Sequence, residues 1–167
     1  MKDSFYMDSP IGTLCVEYEL ECVTGIYVAT GNACKSIPVT PFAMKVMREI
    51  EDYFNGSLKV FTFSIAMQGT AFQIMVWREL IRIPYGTIAT YGDIAKRIGK
   101  PAASRAVGMA CNRNPLLLAV PCHRVVGAGG KLTGFAVGLE KKTFLLEMEK
   151  AFAGAKTFWQ ARGYSKV

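Results

Sequence analysis

The chain has 167 residues, 51% hydrophobic and 20% charged, a balance that supplies a buried core in one or two domains and excludes both a large multi-domain machine and a disordered chain. Its longest strictly aliphatic run, residues 116–120, falls far short of the roughly 18 to 20 residues of a membrane span, and residues 1–10 lack the apolar core of a secretory signal; the expectation is a cytoplasmic protein with no membrane partner. The net charge of +7 is unevenly divided, with 8 acids and 5 bases in residues 1–66 against 5 acids and 15 bases in residues 67–167. Such a basic half suits a nucleic-acid partner, whose counterions Lys and Arg replace, or a basic surface with no partner at all.

Alternating segments at 5–9, 13–20 and 23–30, with Pro10-Ile11-Gly12 as a turn, predict an antiparallel meander. Helical spacing of Phe42, Val46, Met47, Ile50, Tyr53 and Phe54 predicts a helix over 40–54, closed by Asn55-Gly56. Residues 59–67 are apolar and β-favouring, and the charge changes sign after them. A domain boundary near Gln68 follows, giving an N-terminal sheet-and-helix domain over 1–67 and a second domain over 68–152.

The second half is mostly helical. Thr70 caps a helix whose positions Phe72, Met75, Val76, Leu80 and Ile83 share a face, and Pro84-Tyr85-Gly86 ends it. Thr90 and Asp93 form a capping box ahead of Ile94, Ala95 and Ile98, with Gly99 at the position that closes a helix. A third helix over about 102–112 turns Val107 and Cys111 inward and Arg105 and Arg113 outward. Two short helices on a glycine turn, the second bearing Arg and the small residues Ala102, Ala103, Ala106 and Gly108, describe a helix-turn-helix; the small residues suit close approach to a groove or tight packing in a core. Residues 118–126 and the glycine run 127–130 are expected as a strand and hairpin, in the place of a wing. A last helix covers about 139–152, and residues 153–167 are a tail with three bases and no acid.

The five cysteines have no paired spacing, and His123 is the sole histidine, so neither a disulfide framework nor a zinc site is expected. The sharpest local feature is Pro121-Cys122-His123-Arg124-Val125, between an aliphatic stretch and a glycine-rich turn. A thiol of ordinary pKa is a few per cent thiolate at neutral pH, so a base beside Cys122 would make it a nucleophile. Neighbours in an extended segment point to opposite sides. Contact between Cys122 and His123 therefore requires a turn or a bridging water, and a buried cysteine beside a core histidine is the alternative.

This pentapeptide, preceded by Asn114-Pro115 and by Ser104-Arg105-Ala106-Val107-Gly108, resembles the O6-alkylguanine-DNA alkyltransferases. Residues 69–77 (GTAFQIMVW), Pro84-Tyr85-Gly86 with Thr90-Tyr91, and Ser9-Pro10-Ile11-Gly12-Thr13 are similar to further family segments, in the same order. The resemblance is strong over 69–149 and weaker before it. It implies an α+β fold: a small antiparallel β-sheet plus helix of ribonuclease H-like type, then a helical winged-helix-like domain with a helix-turn-helix.

By that resemblance Cys122 takes the alkyl group from O6 of guanine in double-stranded DNA, once and irreversibly, with no cofactor and no metal; O4-alkylthymine stays open as a substrate. His123 acts on Cys122 through a water and Glu149 orients His123. Asn114 ties the recognition helix to the active-site segment. Arg105 fills the stack vacated by the flipped base, and Tyr91 turns the 3′ phosphate aside and protonates guanine N3. Ala102, Ala103, Ala106, Gly108 and Arg113 face the minor groove, and Pro121, Arg124, Phe135, Ala136 and Val137 wall the substrate pocket. One molecule consumed per lesion implies that a monomer suffices. The chain departs from the family at Phe135-Ala136-Val137-Gly138: Ala136 offers no hydroxyl to guanine O6, and Val137 narrows the pocket mouth, favouring O6-methylguanine over O6-benzylguanine. A winged-helix regulator or non-catalytic lesion sensor would explain the charge but has no use for the Cys-His pair, and a cysteine hydrolase would not require Arg105.

Overall fold

Pairing Phe5 with Val16, Met7 with Leu14 and Val16 with Ile26 puts one row of apolar side chains on one face of a three-stranded antiparallel meander, β1 (Asp3–Ser9), β2 (Gly12–Glu19) and β3 (Cys22–Val28). Helix α1 (Pro41–Phe54) covers that face. Thr40 accepts the Ala43 amide as its N-cap and Pro41 presets its first turn, and Ala43, Val46, Ile50 and Tyr53 are buried at helical spacing. The computed structural model describes residues 1–154; the basic-tail expectation otherwise falls on residues 155–167, outside the described residues.

The edge of β3 receives chain from both directions. Val23 forms an isolated parallel bridge with Ile65 and Ile26 one with Leu116, so the β-favouring stretch 59–67 contributes a single bridge and no strand. Ile26 donates to the Pro115 carbonyl at 2.9 Å and accepts from the Leu117 amide at 3.0 Å. This clips the segment leading to Cys122 directly onto the sheet.

The remaining helices are α2 (Ala71–Ile81), α3 (Tyr91–Arg97), α4 (Ser104–Asn112) and α5 (Leu139–Gly154). Reciprocal capping boxes, Thr70 with Gln73 and Thr90 with Asp93, start α2 and α3 where the sequence pattern places them. The α4 helix begins at Ser104, later than expected, with Ala102 and Ala103 in the turn before it. Trp77 Nε1 donates to the Ala110 carbonyl at 2.8 Å and pins α4 to α2. A continuous apolar core runs from Phe5 through Ile50, Trp77 and Val107 to Leu145. No helix among the described residues is long and apolar enough to cross a membrane.

The expected strand and hairpin over 118–126 do not form. Instead Leu118 takes φ +69°, an uncommon left-handed conformation for a non-glycine residue, Cys122–Arg124 make one 3-10 turn, and only β5 (Val125–Val126) is extended. Proline at 121, which has no amide hydrogen, does not favour a continuous ladder. Strand β5 pairs in parallel with β4 (Ala89–Thr90), and because Thr90 is also the cap of α3, this pairing sets the first residue of α3, Tyr91, beside the segment that carries Cys122.

Gly86, at φ +75°, lies where an added Cβ would sit 2.4 Å from Ala153 Cβ and 3.2 Å from the Glu149 carbonyl oxygen. Gly99 has φ +73° and open space around it. Gly86→Ala is therefore expected to cost about 2–4 kcal/mol, the conformational term plus overpacking against α5, whereas Gly99→Ala costs about 1 kcal/mol; urea denaturation of both variants measures the difference.

Candidate active site

Cys122 opens the 3-10 turn, its amide bonded to the Val120 carbonyl at 2.8 Å. Asn114, just past the C-terminus of α4, donates from Nδ2 to the Val120 carbonyl at 2.8 Å and to Cys122 Sγ at 3.3 Å, while its Oδ1 accepts the Leu116 amide at 2.9 Å. One side chain thus fixes the end of the helix, the approach segment and the sulfur. Burial pushes the Cys122 thiol up, against the opposing influence of the Asn114 hydrogen bond and of Lys142. The resting group is a thiol.

The next two residues turn away from the sulfur toward one carboxylate. Glu149, on α5 and fully buried, receives five hydrogen bonds. Its Oε1 is 2.7 Å from His123 Nε2, accepts from Tyr53 Oη at 2.7 Å and accepts from Arg124 Nη2 at 2.9 Å; its Oε2 accepts from Arg124 Nε at 2.9 Å and from the Gly86 amide at 3.2 Å. Burial alone would raise this carboxyl, but the hydrogen bonds from His123 and Arg124 and the charge of Arg124 overcome it and hold Glu149 well below the usual carboxylate range. Arg124 already neutralises the carboxylate, so His123 need carry no charge, and its complete burial pushes its pKa below the ordinary value despite Glu149. With Nε2–H committed to Glu149, His123 Nδ1 is the basic nitrogen. It is buried without a hydrogen-bond partner among the described residues.

Arg124, expected in the substrate pocket, is a forked donor to Glu149 whose Nη1 also reaches the Ile83 carbonyl at 2.7 Å. Pro121 and Arg124 do line a cavity of about 320 Å³, but they share it with Phe61, Ile83, Tyr85 and Leu118 and not with Cys122 or residues 135–137. Phe135 and Val137 are half-buried against the core and Ala136 is exposed.

Lys142 and Tyr53 were not singled out from the sequence. Lys142, wholly buried, donates from Nζ to the carbonyls of Val125 at 2.6 Å, Thr133 at 3.1 Å and Gly134 at 3.4 Å, closing the loop after the active-site turn. The same ammonium lies 5.9 Å from the centres of both the Tyr91 and Phe135 rings. Tyr91 Oη donates to the Thr133 carbonyl at 3.3 Å, and burial raises its pKa, so it is protonated at neutral pH. Gly108 faces the Tyr91 ring, where an added Cβ would meet it at 3.7 Å. Ala102, Arg105, Ala106 and Arg113 are exposed; Ala103 is half-buried. All five cysteines are free, and the described residues hold no cluster of three metal-ligating side chains.

Removing one partner of a buried ion pair strands the other. Arg124→Met is expected to lose about 3–5 kcal/mol of stability, and the double variant Arg124→Met/Glu149→Leu to recover part of it. Urea titration of the two variants and wild type checks the ordering.

Residues 71–151 match the family model for the DNA-binding domain of 6-O-methylguanine DNA methyltransferase. Over 147 residues the chain is 47% identical to the methylated-DNA–protein-cysteine methyltransferase of Methanosarcina acetivorans, covering 85% of this chain and 94% of the relative. Over 148 residues it is 40% identical to that of Mycobacterium leprae, covering 86% and 90%. The crystal structure of Mycobacterium tuberculosis O6-methylguanine methyltransferase superposes with a TM-score of 0.83 at 38% identity over 93% of this chain and 97% of that one. A complex of the Mycobacterium tuberculosis protein with DNA gives 0.81 at 40% identity over 89% and 93%. With identity sustained across nearly the whole of these relatives, the chain belongs to the methylated-DNA–protein-cysteine methyltransferase family of enzymes.

Proposed function

We propose that the protein repairs double-stranded DNA by moving the alkyl group of O6-alkylguanine irreversibly onto Cys122. The observation that carries this reading is the arrangement around the thiol: Sγ held by Asn114, and an adjacent neutral histidine whose Nε2 is tied to Glu149. In the proposed step the thiol proton passes through a bridging water to His123 Nδ1. The thiolate attacks the alkyl carbon in line; the S–C bond forms as the C–O6 bond breaks, and the electron pair leaves with guanine. Tyr91 donates a proton to guanine N3, and the proton held by His123 returns through solvent to the Tyr91 phenolate, so that in net the thiol proton ends on guanine. The product is a thioether and intact guanine, and each molecule acts once.

Reaching O6 requires the base to leave the duplex, at a cost of a few kcal/mol. We propose that α4 enters the minor groove with Arg105 filling the vacated stack and Ala102, Ala103, Ala106 and Arg113 along the backbone; their exposure supports this for all but the half-buried Ala103. Gly108 is half-buried and faces the Tyr91 ring. Residues 135–137 would border the extruded base, with Val137 at its edge. A single monomer holds every residue the step uses.

Mixing the protein with a duplex carrying one O6-methylguanine and taking an intact mass tests the reading. The expected gain is about 14 Da, confined to the Cys122 peptide, saturating at one per chain and absent in Cys122→Ala. DNA binding without any gain would instead favour a non-catalytic lesion reader.

A further inference from the structure

We infer that Tyr53, carried by α1 on the meander rather than by the helical half, is a positioning residue for the transfer: its hydroxyl fixes Glu149 and thereby the orientation and basicity of His123. The inference rests on the alkyl-transfer reading above.

Three observations carry it. First, Tyr53 Oη donates to Glu149 Oε1 at 2.7 Å and stands 3.4 Å from His123 Nε2, so it shares the very oxygen that orients the histidine. Second, the phenol has no freedom to leave: its ring packs edge-on against Phe54 and Tyr85 with centroids 5.2 and 6.0 Å away, and tilted against Phe61 at 5.3 Å. Third, Tyr53 is fully buried, and burial followed by the charge of Glu149 pushes its pKa well up; it is a donor at every pH where the protein works.

The consequence has a definite sign. A donor on Oε1 spends part of that oxygen's basicity, so less remains to pull a proton onto His123. The other groups facing the relay are Arg124 from the active-site turn, Lys142 from α5, the Cys122 thiol and Tyr85, whose ring lies 5.6 Å from the Arg124 guanidinium and 5.8 Å from Lys59 Nζ. None of these besides Arg124 bonds to the carboxylate. Removing the Tyr53 hydroxyl therefore makes His123 more basic and loosens Glu149 at once. Thiol activation requires neutral His123, so the acid limb of the rate profile moves to higher pH.

The test is single-turnover methyl transfer from a duplex with O6-methylguanine, followed across pH for wild type and Tyr53→Phe. Tyr53→Phe is expected to lower the plateau rate about tenfold, the worth of one hydrogen bond to a charged group, to shift the acid limb upward, and to leave DNA affinity unchanged. Phe61→Leu disturbs the same aromatic packing but keeps the hydroxyl, and is expected to lower Tm with no shift of the limb. Tyr53→3-fluorotyrosine donates more strongly and keeps the fold, so its limb moves to lower pH. Transfer by wild type, with Tyr53→Phe and the fluorinated variant both keeping its rate and limb, overturns the inference alone. Wild type that gains no methyl overturns the alkyl-transfer reading and this inference together.

Discussion

A carboxylate taken out of water must find its hydrogen bonds elsewhere, and the burial of Glu149 imposes that requirement on four separate parts of the chain. Tyr53 comes from α1, Gly86 from the turn after α2, His123 and Arg124 from the 3-10 turn, and the acceptor itself from α5. An unpaired charge there would cost several kcal/mol, so these parts must arrive together or the site does not close. One contact that joins the sheet-and-helix layer to the helical half, Tyr53 with Glu149, thus also holds the carboxylate that bonds His123.

The charge balance decides what the site can do. Because His123 is fully buried and Arg124 offsets the charge of Glu149, the imidazole stays neutral, and a neutral imidazole whose Nε2–H is committed to a carboxylate has its remaining nitrogen available as a base. Burial keeps Cys122 in the thiol form until that base is used. A buried thiol of raised pKa is a poor nucleophile toward reagents in bulk solvent. Lys142 adds a second buried cation on the opposite side of the turn, where three carbonyls, not a carboxylate, hold it.

Much of this was legible in the amino-acid order because it is local. The meander follows from alternation and a Pro-Ile-Gly turn, Thr70 caps α2, and the capping box of α3 falls where Thr90 precedes Asp93 by three residues. The run from Pro121 to Val125 drew attention to Cys122 and His123, which the fold places in one 3-10 turn. What escaped was long-range. Tyr53 fits the apolar spacing of α1 as well as Phe54 does, and nothing within the helix tells that its hydroxyl meets a carboxylate 96 residues away. Arg124 carries no local sign that its fork faces inward, so the resemblance placed it in the pocket wall. The expected wing failed because aliphatic content at 116–120 suggests a strand, whereas the left-handed Leu118 and the clip onto β3 bend that segment into the turn that presents Cys122.

Since His123 is the only histidine in the chain, its two ring nitrogens are directly visible by 15N–1H correlation spectroscopy of uniformly labelled protein without assignment. The neutral Nε2–H tautomer is expected at pH 7, its Nδ1 staying unprotonated as the pH falls below the ordinary histidine value of about 6.5. An imidazolium at pH 7, or a proton on Nδ1 in place of Nε2, would contradict it.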